Sequence, residues 1–272
     1  AQTEGLQKGD RIVAIGDDTV TAENSAEMAG KLSGIKLTSV SLTYRRDDVD
    51  KSVNVVLGYT NQTVSYELIG TVGYIKISAF YKNTLNQLEK AITQLKKEGA
   101  RSLIFDVRST YDGTVEYTCR VIDLLVPTAT EGNKAIATLV DKTGKTVKTY
   151  SSDSKDIIMP MAVLINSDTA GCGELFACDL KDFGKAFLIG EKTAGRADVQ
   201  ETFELSDGGA IVLTTSKMLP YISDSFDGNG LTPDTEIILA DSLRENLSTL
   251  EKERDTQLQA AVSMLAGNSA EE

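Results

Sequence analysis

The chain has 272 residues, 41% of them apolar and 25% charged, the balance of a globular protein with a sizeable core. Its formal net charge of −12 opposes binding to nucleic acid or to an anionic membrane surface, both of which carry charge of the same sign. Histidine is absent, which excludes Ser-His-Asp and Cys-His triads and removes the commonest ligand of zinc and haem sites.

Catalysis is thereby confined to Ser/Lys, Thr or carboxylate chemistry, and neither a metal nor another cofactor is expected. Peptides, unfolded protein or other proteins are the expected partners. The three cysteines, Cys119, Cys172 and Cys178, have no CxxC spacing and read as buried free thiols. No stretch reaches 18 consecutive apolar residues, and AQTEGLQKGD lacks the basic and apolar regions of a signal peptide.

Residues 1–58 read as a small β-rich module, with strands at Arg11 to Ile15, Ser39 to Arg45 and Ser52 to Leu57 and a helix from Ala22 to Leu32. The run GLQKGDRIVAIGDDTV resembles the second half of a PDZ domain. That resemblance implies a partial, truncated module without the strand and loop that capture a peptide carboxylate by β-augmentation.

From residue 59 to 239 strands and helices alternate, as in an α/β core. Thr71 to Ala79 predicts a strand, Asn83 to Glu98 an amphipathic helix, Arg101 to Val107 an apolar strand and Thr114 to Leu125 a second helix. Ala135 to Asp141 and Thr146 to Tyr150 read as a hairpin, Met161 to Asn166 as a buried strand and Cys172 to Phe183 as a helix. Ala186 to Ile189 follows as a strand, and Val199 to Leu205 and Ala210 to Ser216 as a hairpin turned at Asp207-Gly208-Gly209. Residues 240–272 are expected to carry one charged helix, Ser242 to Leu265, and a disordered NSAEE end.

Five stretches carry a further resemblance: VGYIKISAF, LIFDVRSTYDG, AVLINSDTAGCGELFACDLKDFGKAFLIGEKTAGRADVQ, LSDGGAIVLTTSKMLP and GNGLTPD. In this order they resemble the C-terminal processing (tail-specific) serine peptidases. The resemblance implies a mixed α/β core of the crotonase-like or Clp-protease-like kind, following the partial PDZ module. It also implies proteolysis of polypeptides and a location outside the cytoplasm, at the cell envelope or beyond; a second copy of the chain, forming a homo-oligomer, is also counted among the candidate partners.

Members of that family carry N-x-x-S-A-S-A-S-E, whose middle Ser is the nucleophile, and G-E-x-T-F-G-K-G-x-V-Q, whose Lys is the general base. Here the two segments are Asn166 to Glu174 and Gly190 to Gln200, and they align without a gap. The nucleophile position is then Gly171 and the base position Arg196, 25 residues later. Glycine has no Oγ to form an acyl-enzyme. A guanidinium stays charged in proteins and cannot serve as the neutral amine of a dyad.

The resemblance assigns Gln200 to supporting the dyad, and Asp112, Gly113 and Cys172 to the oxyanion hole. The family loop D-x-R-x-N-P-G-G reads Asp106-Val107-Arg108-Ser109-Thr110-Tyr111-Asp112-Gly113, so a carboxylate stands where negative charge would develop. Ala194 replaces a Phe before the base position. The leading expectation is a non-hydrolysing homologue that binds peptides or proteins; the alternative is an active endopeptidase with a non-standard nucleophile.

For that alternative, Cys172 stands at a helix N-terminus, where a thiol pKa can fall, but a packed thiol is the default reading. Ser167 and Lys192 are also 25 residues apart, although that slipped register breaks the other matches. Arg196 is a candidate for a structural ion pair with a carboxylate such as Asp112. Asp106 and Arg108, two apart on a strand, face one side and read as a structural pair.

Overall fold

A computed structural model describes residues 5–7, 9–30, 32, 39–56, 62–127, 135–152, 156–205, 209–244 and 246–267. The chain divides into two compact units, residues 1–61 with 246–249 and residues 62–245 with 250–272.

The first unit holds β1 (Arg11–Ile15), β2 (Asp18–Thr19), α1 (Ser25–Gly30), β3 (Ser39–Arg46) and β4 (Val49–Val56) in one sheet of order β2-β1-β3-β4. Ile15, Met28, Leu42 and Val55 form its small core. α1 is shorter than the predicted Ala22 to Leu32. The cause is local: the Thr21 N–H donates to Asn24 Oδ1 and the Asn24 N–H to Thr21 Oγ1, at 2.7 and 3.3 Å. Such side-chain bonds hold the backbone in a turn and delay the helix.

The second unit is built on a six-stranded sheet, β5 (Val64–Ile69), β6 (Val72–Ile77), β7 (Ser102–Asp106), β10 (Met161–Ile165), β11 (Ala186–Gly190) and β14 (Thr235–Glu236), ordered β14-β11-β10-β7-β6-β5. All neighbours run parallel except β5, which is antiparallel to β6. A parallel sheet must be covered on both faces, and the alternation of side chains shows how. Leu103, Phe105, Met161, Val163 and Ile165 face α2 (Thr84–Glu98), α3 (Val115–Leu125) and α4 (Cys172–Asp182) in the main core. The intervening Ile104, Ala162 and Leu164 face Leu258, Ala261 and Leu265 of α6 (Thr256–Gly267).

A smaller antiparallel sheet, ordered β12-β13-β8-β9, joins β8 (Ala135–Val140), β9 (Thr146–Ser151), β12 (Asp198–Glu204) and β13 (Ala210–Leu219). Two residues of the expected turn, Asp207 and Gly208, lie outside the described residues, as does the NSAEE end.

The tail corrects the sequence reading. In place of one charged helix there is a four-residue α5 (Asp241–Arg244), a 3-10 turn at Lys252–Arg254, and then α6, whose sequence TQLQAAVSMLAG carries no charge. Asp255 starts α6: its Oδ1 accepts the Leu258 N–H at 3.0 Å, as an N-cap does. Its other bonds fix where α6 docks. Arg108, buried at 3% exposure, reaches Asp106 and Asp255 at 2.7 Å each and Gln257 at 2.9 Å. The expected Asp106–Arg108 pair is thus present and extends to α6. Burial opposes ionisation of Asp106, but the Arg108 guanidinium outweighs it and holds the carboxyl below its ordinary range.

A candidate active site at the carboxyl ends of the parallel strands

Parallel α/β sheets place ligands beyond the carboxyl ends of their strands. Here two such ends, the loop 107–114 after β7 and the turn 166–171 after β10, are tied together. The Ser109 N–H donates to Asn166 Oδ1 at 2.8 Å, Asn166 Nδ2 donates to Ser109 Oγ at 3.1 Å, and the Ala170 N–H donates to the Thr110 carbonyl at 3.1 Å. Thr169 Oγ1 donates to the Val107 carbonyl at 2.9 Å. Ser109 is held at φ 58, a left-handed conformation that a side chain normally avoids.

Gly171 sits between β10 and α4 at φ 55 and ψ −111. A strand-to-helix turn strained in this way is what presents a nucleophile at the top of a sheet in other hydrolases. A Cβ built at Gly171 would stand 3.7 Å from the Tyr111 carbonyl and 3.8 Å from the Arg196 carbonyl, so there is room for a side chain. The next glycine is different. A Cβ at Gly173 would lie 2.4 Å from the Thr110 carbonyl, so the close approach of α4 to the loop requires glycine there.

Glu174, one turn into α4 and fully buried, joins this turn to the segment after β11. Its carboxylate accepts the N–H groups of Gly171 at 3.0 Å, Gly195 at 2.7 Å and Arg196 at 2.8 Å, and the Thr193 hydroxyl at 2.5 Å. The Gly171 bond is the returning half of a capping box. The other bonds bring the backbone of Arg196 beside Gly171. Phe176, one helical turn's face away, locks α4 from below, with its ring 5.4 Å from that of Phe80 and 5.5 Å from that of Phe105.

Five of the six residues that sequence reading marks, Gly113, Gly171, Cys172, Arg196 and Gln200, line one cleft of about 750 Å³. Its walls come from α3, β8, β9, β12 and β13 and include Tyr111, Tyr117, Leu139, Val147, Tyr150, Val199 and Met218. The sixth, Asp112, is exposed and does not line it. Neither the Gly113 N–H nor the Cys172 N–H has an acceptor among the described residues. Gly113 is pinned at φ 142 against Phe80, whose carbonyl oxygen would lie 2.7 Å from a Cβ.

One sequence expectation is corrected, and two alternatives gain no support. Arg196 makes no ion pair among the described residues and is exposed, so no bond to Asp112 fills the cleft; what fixes Arg196 is its backbone bond to Glu174. The Cys172 thiol is 5% exposed, and burial pushes its pKa up, with the Asp112 charge adding to the shift and a Thr118 hydrogen bond opposing it. Burial therefore outweighs the helix N-terminus, and the thiol is held protonated. Ser167 and Lys192 are both exposed, and no hydrogen bond joins them.

Sequence reading missed the residues that hold the cleft together. Asn166 and Thr193 fall within the spaced motifs but without a role, and Thr169 is not marked at all, because partners such as Ser109, Glu174 and the Val107 carbonyl come close only on folding. Lys148 and Tyr150, which line the wall from β9 with the ammonium 4.6 Å from the ring, are likewise invisible in the linear pattern.

Residues 71–237 match peptidase family S41. The chain belongs to that family. It is 32% identical over 259 residues to carboxyl-terminal-processing peptidase 1, chloroplastic, of Arabidopsis thaliana, covering 91% of this chain and 52% of that protein. It is 29% identical over 241 residues to a probable CtpA-like serine protease of Staphylococcus epidermidis, covering 87% of this chain and 48% of that one. The chain thus spans about half the length of these curated relatives.

Solved S41 structures share the fold. One from Bacteroides fragilis aligns with a TM-score of 0.68 at 19% identity over 98% of this chain and 75% of its own. The photosystem II D1 C-terminal processing protease aligns at 0.59 and 23% identity, over 94% and 71%. The S41 core here is accordingly a mixed α/β, Clp-protease-like peptidase fold. Its family acts on peptides or proteins.

Proposed function

We propose that this chain binds extended peptide or protein segments in the S41 cleft without hydrolysing them. The observation that carries this reading is the strained turn at Gly171: the backbone has the conformation that presents a nucleophile, and the side chain is a hydrogen atom. In the register of the family motif Gly171 takes the nucleophile position, Arg196 the base position and Gln200 the supporting one. Without a hydroxyl there is no acyl-enzyme, and a guanidinium takes no proton at neutral pH. Gly113 and Cys172 line the cleft, and their N–H groups have no acceptor among the described residues, the kind of donor an oxyanion hole uses, while Asp112 adds an opposing charge nearby.

The second reading, an endopeptidase that uses Cys172, is disfavoured by the same environment, since a thiol held protonated by burial is a weak nucleophile. A PDZ-like module at 1–58, an exported location and self-association are further parts of the proposal; the first two rest on resemblance to known families. Among the described residues no helix is long and apolar enough to cross a membrane.

The reading is tested by incubating the chain with an unstructured protein and sequencing every new terminus by mass spectrometry. No new termini are expected. Cleavage that disappears in Cys172→Ser or Ser167→Ala would overturn the proposal.

A further inference from the structure

The non-hydrolytic reading raises a narrower question, namely which chemical group occupies the end of the cleft where a scissile carbonyl would otherwise sit. Two observations bear on it, and a third concerns the wall beside it. Two backbone N–H groups from different elements, Gly113 on the loop after β7 and Cys172 at the start of α4, line the cleft without acceptors. Arg196 lines the same cleft, beside Gly171, with no carboxylate partner among the described residues. Thr215 on the cleft wall has a buried hydroxyl with no hydrogen-bond partner.

Thr215 owes this state to an irregularity in the sheet. Val199 pairs with Ser216 and Gln200 with Thr214, so Thr215 is an extra residue bulged out of the β12–β13 ladder. Bulges re-aim side chains beside functional sites, and a buried hydroxyl left without a partner costs about 1–3 kcal/mol. The Thr215 oxygen is closed to solvent, so it marks a strained wall beside the cleft rather than a ligand contact.

We infer that the cleft holds the free C-terminal carboxylate of a peptide, with Arg196 and the Gly113 and Cys172 N–H groups on its oxygens. This rests on the peptide-binding reading above and specifies its ligand. A carboxylate has the charge, the planar fork and the acceptor count that a guanidinium and paired N–H groups recognise. The N-terminal end of α4 adds a favourable field of its own. At the same position a lysine would supply charge without the fork. Glycine at 171 leaves the 3.7–3.8 Å of clearance to the Tyr111 and Arg196 carbonyls unfilled by a side chain, which gives the second carboxylate oxygen room.

Opposing charges are present, and the one bonded to Gly171, Glu174, is taken up by its four hydrogen bonds. Glu116 is paired with Arg120 at 2.7 Å, and Asp198 lies in the field of Lys217. Glu201 is exposed on β12, and Asp112 is exposed and outside the lining. The apolar wall of Leu139, Val147, Val199 and Met218 suits small aliphatic side chains next to the terminus.

The test uses the full chain and an N-terminally fluorescein-labelled decapeptide of Ala, Val and Ser, made with a free carboxylate and as the C-terminal amide. Fluorescence anisotropy should show the acid binding at least about tenfold tighter than the amide, which is ~1.4 kcal/mol. Arg196→Ala should abolish that difference, Arg196→Lys should keep part of it, and Asp112→Asn should widen it. Tyr111→Ala, on the cleft wall, should weaken both peptides. Arg196 is exposed and held through its backbone, and far-ultraviolet circular dichroism of the variants checks that they fold.

Equal affinity for acid and amide, with both weakened by Tyr111→Ala, would overturn the carboxylate assignment and leave the peptide-binding reading standing. Binding of neither peptide would overturn both. A preference for the acid that survives Arg196→Ala, or an amidated peptide with an internal Glu that binds as tightly as the acid, would also count against the assignment.

Discussion

Glu174 accepts four hydrogen bonds from two parts of the chain, one from the turn before its own helix and three from residues 193–196. Alanine there would leave three backbone N–H groups and a hydroxyl without an acceptor. Each orphaned group costs about 1–3 kcal/mol when fully buried, and the Gly171 and Arg196 N–H groups are only part-buried and can turn to water, so Glu174→Ala should lower unfolding stability by about 3–5 kcal/mol in urea titration; a loss under 1 kcal/mol would show that the clamp is dispensable. Asp179 is the opposite case. It is fully buried with Oδ2 unpartnered, and burial pushes its pKa well above the usual carboxylate range, with the Tyr221 N–H only partly offsetting this. Because the folded pKa is raised, its stabilising contribution is complete below about pH 4 and is lost as pH rises toward the folded value. Asp179→Asn should therefore raise the melting temperature most at neutral pH and least near pH 4, measured by thermal unfolding across that range; a gap that grows toward acid would contradict this. Glu174 was legible in the sequence as part of a motif, but its four partners and the burial of Asp179 were not, since only the folded chain brings them together.

At the scale of elements, α6 shows most clearly what the linear pattern hides. Charge and apolar spacing from 242 to 265 suggest one long helix, yet the chain breaks it so that Asp255 and Gln257 meet Arg108, 147 and 149 residues away in sequence. Such long-range partners have no local signature. Removing Arg108 leaves Asp106 and Asp255 as buried unpaired charges, which costs about 3–5 kcal/mol. Arg108→Met should therefore destabilise the fold by that amount, and a double-mutant cycle with Asp255→Asn should return a strong positive coupling; additive effects would mean that α6 is held by its apolar face alone. By contrast, α2, α3, α4 and the strands β6, β7, β10 and β11 lie within two residues of where periodicity puts them, because each has an apolar face of the right period and a clear boundary. Thr114 at the N-cap of α3 and Gly99 in the left-handed C-cap of α2 are examples. The Ser109 turn is a further local strain, and Ser109→Gly should keep the fold and change stability by less than about 1 kcal/mol, since its loss of the Asn166 contact offsets the relief.

For the whole molecule, the S41 body supplies a cleft, two unpaired N–H donors and a strained turn, and the chain places at that turn the one residue with no side chain. Restoring the family residues asks whether the rest of the machinery survives. Gly171→Ser has space for its side chain but must hold φ 55, a strain of about 1–3 kcal/mol, and Arg196→Lys returns an amine; the double variant should fold and show weak hydrolysis at most. The family and the position of the site were readable from spaced motifs. The ligand was not, because exposure of Arg196 and the protonated Cys172 thiol are properties of packing. The most direct measurement is to hold the chain with a saturating labelled peptide for many binding lifetimes and weigh the peptide afterwards. A saturable anisotropy signal with the peptide recovered intact is the predicted result; fragments whose formation is abolished by Cys172→Ser or Ser167→Ala would contradict it.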